Sequence, residues 1–483
     1  MQEQARMDFD SVFYPRSIAV VGASSDPTKS GAKWIMGFRK AGFQGRLYPV
    51  STRGGSIAGV DIHTSLTSIT DDIDYVVASV PAHSAMSVVE ECVQKRVKFV
   101  QFFTAGFRET GKAEATVLEE QLLKRASAGG LRIIGPNCIG TYCPESRIPL
   151  GPSPLGKVGV PGDAAFISQS GGIAAKLVEY GIARRLDFSK GISIGNSIDL
   201  DAADFLDYFA HDERTRYIGM YLEGASRGRH LYAALRRVAS AKPTVVLKGG
   251  RTEAGALTAQ SHTGSMATKA PVWSAMLRQA GAIEATSIEE LTDCLLLLQK
   301  VGPTRARNIG IVGGLADGGG GISVSGSDAC ADIGLNLPSL AASTTSSLAA
   351  LIGEVGSILR NPVDISPAQF RGLDAQFESI RLVAADPGIE LLIVQEDVDI
   401  MLSYLGEKET DSINGFLSTL SRETGTPLVM VMPPGSCEAK RGISVQRLQE
   451  AGVPVFPTMS RATRAIGLVS GRPGPIANEA ALQ

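Results

Sequence analysis

Short, predominantly apolar runs recur along the chain, each closed by a small or polar turn and separated from the next by a helical stretch. Ser17–Val21, Leu47–Val50, Asp74–Val80, Lys98–Phe103 and Leu131–Ile134 are such runs; helical periodicity follows to about Ala41, from Pro81 to about Lys95, and from Ala113 to Ser127. Apolar runs this short, without strict polar alternation, read as strands buried on both faces. Five of them, each with a turn at its carboxyl end, predict one doubly wound domain. Residues 144–162 are rich in Pro and Gly and lack a period, which predicts an interdomain connection. The pattern then restarts with strands at Ala164–Ser168, Phe188–Ile194, Arg216–Leu222 and Thr244–Leu247, and with helices at 173–184, near 271–279 and near 288–300. After a linker at 302–307 comes a third unit, with strands at Asn308–Val312, Leu391–Val394, Pro427–Met432 and Val453–Phe456 and helices between them.

The expected fold class is therefore α/β: a Rossmann-type domain followed by two flavodoxin-like domains, spanning 1–145, 160–302 and 307–475. The chain has 483 residues, too many for one ordinary core. With 44% hydrophobic and 20% charged residues it reads as globular, and its net charge of −2, without a run of one sign, points away from a nucleic-acid surface. The six cysteines are scattered with no CxxC pair, which fits reduced thiols better than a disulfide framework or a zinc site; no metal is expected on this chain. No signal-peptide pattern opens the sequence, and no apolar run reaches the ~18 residues a membrane helix needs. A cytoplasmic protein without membrane or nucleic-acid partners is expected.

Three stretches carry candidate chemistry. Gly22–Gly31 joins a strand to a helix; its N–H groups suit a phosphate, although Ser24 stands where a G-x-G-x-x-G motif has its second glycine. Ser51-Thr-Arg53 lies at the end of the second strand, where such domains meet a nucleoside. Ser170, Gly171 and Gly172 present consecutive N–H groups at a helix start, a second anion site by the same physics. Finally, the loop Lys248–Ser265 holds almost no bulky apolar residue and carries His262 among small neighbours. A neutral imidazole there is either an ordinary surface histidine or a nucleophile toward phosphorus.

Taken together, these residues resemble the α subunit of the NDP-forming acyl-CoA synthetases, the ADP-forming acetate–CoA ligases related to succinyl-CoA synthetase. The resemblance covers almost the whole chain. It rests on Ser17-Ile-Ala-Val-Val-Gly-Ala-Ser24, Val80-Pro-Ala82, Gly135-Pro-Asn-Cys138, Ser168-Gln-Ser-Gly-Gly172, Tyr221-Leu-Glu-Gly224 and Ser261-His-Thr-Gly264, in the family's order. It implies that Gly22, Ser24, Ser25, Arg53, Pro81 and Asn137 bind coenzyme A. It also implies that Ser170, Gly171 and Gly172 hold phosphate, and that His262 is phosphorylated and oriented by Glu223. The implied reaction makes acyl-CoA from a small carboxylic acid through a phosphohistidine and an acyl phosphate. In the family, nucleotide and Mg²⁺ belong to an ATP-grasp domain. This chain ends without room for one, so an ATP-grasp β subunit is the expected partner in an oligomer. Two departures stand out: Ser51-Thr-Arg53 replaces the commoner Asn-Pro-Lys, and the segment 145–155 is short, which leaves the acid open. The Gly313–Gly321 loop is unusually glycine-rich. Two alternatives fit the sequence less well. A CoA-sensing regulatory subunit without turnover has no need of His262 and Glu223. A dinucleotide oxidoreductase lacks its glycine motif and its acidic residue here.

Overall fold

The computed structural model describes residues 9–152, 155–257, 269–315, 319–353 and 358–471. It divides into two compact units, one spanning the chain to Thr292 and the other running from Asp293 to Arg472. Unit 1 contains a parallel sheet, a mainly parallel one and a two-stranded ribbon, and unit 2 contains one parallel sheet.

In the first sheet, β1 (Ser17–Val21), β2 (Arg46–Val50), β5 (Tyr75–Ala78), β6 (Phe99–Phe102) and β7 (Arg132–Ile134) lie in the order β2-β1-β5-β6-β7, all parallel. A two-stranded ribbon of β3 (Ser56–Ile57) and β4 (Val60–Asp61) sits apart from it. The strands of the second sheet are β8 (Gly140–Tyr142), β9 (Ala164–Ser168), β10 (Phe188–Ser193), β11 (Tyr217–Leu222), β12 (Thr244–Lys248) and β13 (Ile283–Ala285), ordered β13-β12-β11-β9-β10-β8. Unit 2 repeats the scheme with β14 (Ile309–Gly313), β15 (Val363–Asp364), β16 (Leu391–Gln395), β17 (Leu428–Val431) and β18 (Val455–Phe456), in the order β15-β14-β16-β17-β18. In each sheet the first parallel strand lies between the second and the third. The winding therefore reverses beside it and opens a crevice at the carboxyl ends, where doubly wound sheets take ligands.

Two expectations need correction. The second sheet has strands beyond the four expected. The turn expected after the fifth strand continues from Gly140 as β8, which pairs antiparallel with β10, and β13 adds the opposite edge. Likewise β15 flanks β14 in unit 2. These strands hold two or three residues, too few for any period to show. Helices α6 (Ala202–His211) and α7 (Gly228–Ala241) also went unplaced. The first opens on a capping box, with Asp201 and Asp204 each accepting from the other's end of the turn.

Unit 1 is held as one body by contacts between its two sheets. The short helix α1 (Asp10–Phe13) inserts Phe9 and Phe13, both fully buried, among Phe99, Phe205, Tyr208 and Phe209. Phe13 stacks on Tyr208 at 5.3 Å, and the Tyr208 hydroxyl donates to Asp10 at 2.9 Å. Nearer the crevices, the N–H groups of Asn196, Ile198 and Leu200 donate to the carbonyls of Pro136, Gly135 and Ile133. Arg132 closes this seam by gripping Asp199 through two nitrogens, at 2.9 and 2.7 Å.

Candidate functional site

At the first crevice, Gly22 has φ +97°, and a Cβ there would lie 2.2 Å from the Ser79 carbonyl oxygen. Gly31, in the first turn of α2 (Ser30–Ala41), is as tightly placed, 1.9 Å from the Gly22 oxygen. Only glycine lets the helix start so close to the strand ends. Ser24 Oγ accepts from the Asp26 N–H at 3.1 Å, and Asp26 in turn accepts from the Thr28 N–H at 2.9 Å, so the turn is braced by its own side chains. Ser25 faces Gly55, and Arg53 stands exposed beyond β2.

A cavity of about 670 Å³ opens beside this turn and collects Pro81, Asn137, Ser170, Gly171 and Gly172 in one lining. Gly22, Ser24, Ser25 and Arg53 are not in that lining; Ser30 and Ser79, hydroxyl to hydroxyl at 2.9 Å, connect the turn to it. Asn137 enters with φ +56°, its N–H held by the Thr104 carbonyl at 2.8 Å.

The opposite wall is the start of α5 (Gly171–Arg184). Ser170 is its N-cap and accepts from the Ile173 N–H at 3.3 Å. The Gly171 and Gly172 N–H groups belong to the first turn, where an α-helix offers no internal partner. A Cβ on Gly172 would meet nothing nearer than Ser170 Oγ at 3.8 Å, so that approach is open. Open N–H groups at a helix N-terminus favour a phosphate.

β9 and β11 are neighbours, and their ends are tied by Gln169. Its Oε1 accepts from the N–H groups of Glu223 and Gly224 at 2.6 and 3.1 Å. Glu223 is 6% exposed. Its Oε1 accepts from the Tyr221 hydroxyl at 3.2 Å, whereas Oε2 is buried with no hydrogen-bond partner among the described residues. Lys248, also buried, donates to the Glu223 carbonyl at 2.7 Å and to the Gly249 carbonyl. Burial holds the Lys248 ammonium below its usual pKa, and the Glu223 charge opposes that shift. The loop leaving Lys248 thus starts against Glu223. Residues 258–268, His262 among them, lie outside the described residues.

Sequence reasoning missed three supports of this site. Gln169 lies within the Ser168–Gly172 motif without an expected role of its own, although a polar residue directly after a buried strand is an available signal. Asn196 sits in the turn after β10 and lines the cavity; its Nδ2 donates to Glu109 at 2.6 Å. Glu109 also takes the Gly106 and Phe107 N–H groups, and no local pattern announces it. Among the described residues, Asp201, Asp204 and His230 form a cluster with metal-ligating atoms within 4.8 Å of one another. Arg227 already engages both of its carboxylates, at 2.8 and 2.5 Å. No described helix is long and apolar enough to cross a membrane.

Residues 16–144 match the family described as CoA binding domain, and residues 161–298 match the succinyl-CoA ligase like flavodoxin domain. The α subunit of the ADP-forming acetate–CoA ligase I of Pyrococcus furiosus is 34% identical over 95% of this chain and 96% of its own length. The chain belongs to the family of ADP-forming acetate–CoA ligase α subunits. The α subunit of ligase II from the same organism is 31% identical, over 92% of this chain and 94% of that one. The dinucleotide forming acetyl-coenzyme A synthetase 1 of Ca. Korarchaeum cryptofilum, solved with phosphate and ADP, superimposes with a TM-score of 0.83. It shares 30% identity, and the match covers 96% of both chains. These relatives are acid–thiol ligases, and they lend no support to the regulatory alternative.

Proposed function

We propose that the chain is the CoA-binding catalytic subunit of an ADP-forming acyl-CoA ligase acting on a small carboxylic acid. Gly22, Ser24, Ser25, Arg53, Pro81 and Asn137 take coenzyme A, and the N–H groups of Ser170, Gly171 and Gly172 take phosphate. In the direction of thioester cleavage, a phosphate oxygen attacks the thioester carbonyl, the C–S bond breaks, and CoA leaves as the thiol. His262 then attacks phosphorus of the acyl phosphate, and the carboxylic acid departs. Glu223 accepts a hydrogen bond from the N–H of the far ring nitrogen, which keeps the attacking nitrogen basic and the phosphorylated ring oriented. Each transfer is in line, and helix N–H groups hold the moving oxyanions. Nucleotide and Mg²⁺ belong to an ATP-grasp β subunit, which we propose joins this chain in a cytoplasmic oligomer. The working domains are 1–145, 160–302 and 307–475.

The observation that carries this reading is Glu223: a buried carboxylate with one oxygen to which no described residue donates, one strand from an open helix N-terminus. A buried acceptor without a partner is costly unless something supplies the hydrogen bond during function. The test is acyl-CoA-dependent incorporation of radiolabelled phosphate into the chain, with Glu223→Gln as comparison. Labelling slowed by roughly the 10²–10⁴-fold that positioned proton-handling groups contribute is expected. Equal labelling of both proteins removes Glu223 from the mechanism.

A further inference from the structure

Beyond the carboxyl ends of β9, β10 and β11 lies a second cavity, of about 290 Å³, to which none of these assignments gives a role. Its apolar walls come from Leu123, Ile194, Ile198, Leu222, Ala225 and Leu231. A crevice at strand ends, apolar with a few converging polar groups, is where a doubly wound sheet binds a small molecule. Gln169 and Asn196 line this cavity and the 670 Å³ cavity alike, so these two residues stand where the two meet. Both are braced: Gln169 by the two backbone N–H groups on its Oε1, Asn196 by its 2.6 Å bond to Glu109 and by its own N–H on Pro136. The Oδ1 of Asn196 is buried and, among the described residues, has no hydrogen-bond partner. Of the charges in the lining, Arg108 pairs with buried Glu119 at 3.1 Å and Asp201 with Arg227 at 2.8 Å, which leaves the exposed Glu120 at the edge.

We infer that this smaller cavity receives the acyl chain of the thioester, while phosphate and the thiol end of CoA stay in the larger one, with Gln169 and Asn196 at the boundary. The inference rests on the ligase reading and adds to it the determinant of acid size. The volume is about twice the ~150 Å³ of a cavity that holds one benzene ring. An acetyl group leaves most of it unfilled; a phenyl-bearing or branched chain fills it.

The test compares phenylacetyl-CoA with CoA by titration calorimetry on the full chain and reads the ratio of the two dissociation constants. In the wild-type chain phenylacetyl-CoA binds about tenfold tighter or more, with a more negative heat-capacity change, because the ring leaves water. Ala225→Phe, which fills the cavity, brings the ratio close to one. Leu123→Ala, which enlarges it, keeps the preference and extends it to a naphthyl-bearing thioester. A misfolded variant loses both ligands together and cannot produce these opposite changes. A wild-type ratio near one, or a preference that survives Ala225→Phe, overturns the inference. Failure of CoA itself to bind counts against the ligase reading instead. In that case free phenylacetate is titrated alone: binding that Ala225→Phe removes supports the cavity, and no binding overturns it.

Discussion

At the scale of single residues, the site depends on groups that leave their polar atoms open. Gly171 is the sharpest case. A Cβ there would approach Ile139 Cγ2 to 3.2 Å, and a branched side chain would also cover the helix N-terminus. Gly171→Val is expected to slow phosphate-dependent labelling by about 10²-fold, the effect of losing one oxyanion donor, while the dissociation constant for CoA, measured by calorimetry, changes little. Equal loss of both would contradict the division of labour between the first turn and α5. Gln169→Leu tests the tie behind Glu223: two backbone N–H groups lose their acceptor, and labelling should fall while CoA binding persists. These two residues also show how far the sequence could be read. Gly171 was legible because glycines abutting a buried strand and a helix have few other reasons to cluster. Gln169 was not, because its value lies in reaching a neighbouring strand that sequence order does not place beside it.

At the scale of elements, strand–turn–helix units announced themselves, and short edge strands did not. β1, β9 and β14 were legible as buried apolar runs meeting glycine-rich turns. β8, β13 and β15 exist because a neighbouring strand offers an unpaired edge, so they follow from assembly rather than from local pattern. The same holds for the seam of residues 196–200 along residues 133–137, and for Glu109, which meets Asn196 across 87 positions of chain. For α5 the local rule is testable. Ser170→Ala removes the cap on Ile173 and should lower stability by about 0.5–2 kcal/mol in urea denaturation. No change would mean that packing alone sets the start of this helix.

At the scale of the whole molecule, acid should weaken the first unit through Glu109. Burial is the largest single influence on its carboxyl and pushes the pKa up. The hydrogen bonds from Asn196 and from the N–H groups of Gly106 and Phe107 together outweigh burial and leave it below the usual carboxylate range. A depressed folded-state pKa gives stability that is present above the unfolded value of ~4.3 and is lost as pH falls through the folded value. Glu119, by contrast, is raised by burial against the pull of Arg108, so the acid limb sums opposing contributions. The difference between wild type and Glu109→Gln isolates one of them. Melting temperatures of the two proteins should converge as pH drops below about 4; a constant gap would contradict the assignment. The chain as a whole exists, on this account, to carry a phosphoryl group on one histidine. The most direct test is to incubate it with acetyl-CoA, or a panel of acyl-CoAs, and radiolabelled phosphate without nucleotide, then map acid-labile, base-stable label to a peptide. Label confined to the peptide containing His262, and absent from His262→Ala, is the predicted result. Label that persists in His262→Ala, or no label with any acyl-CoA, would contradict the phosphohistidine relay.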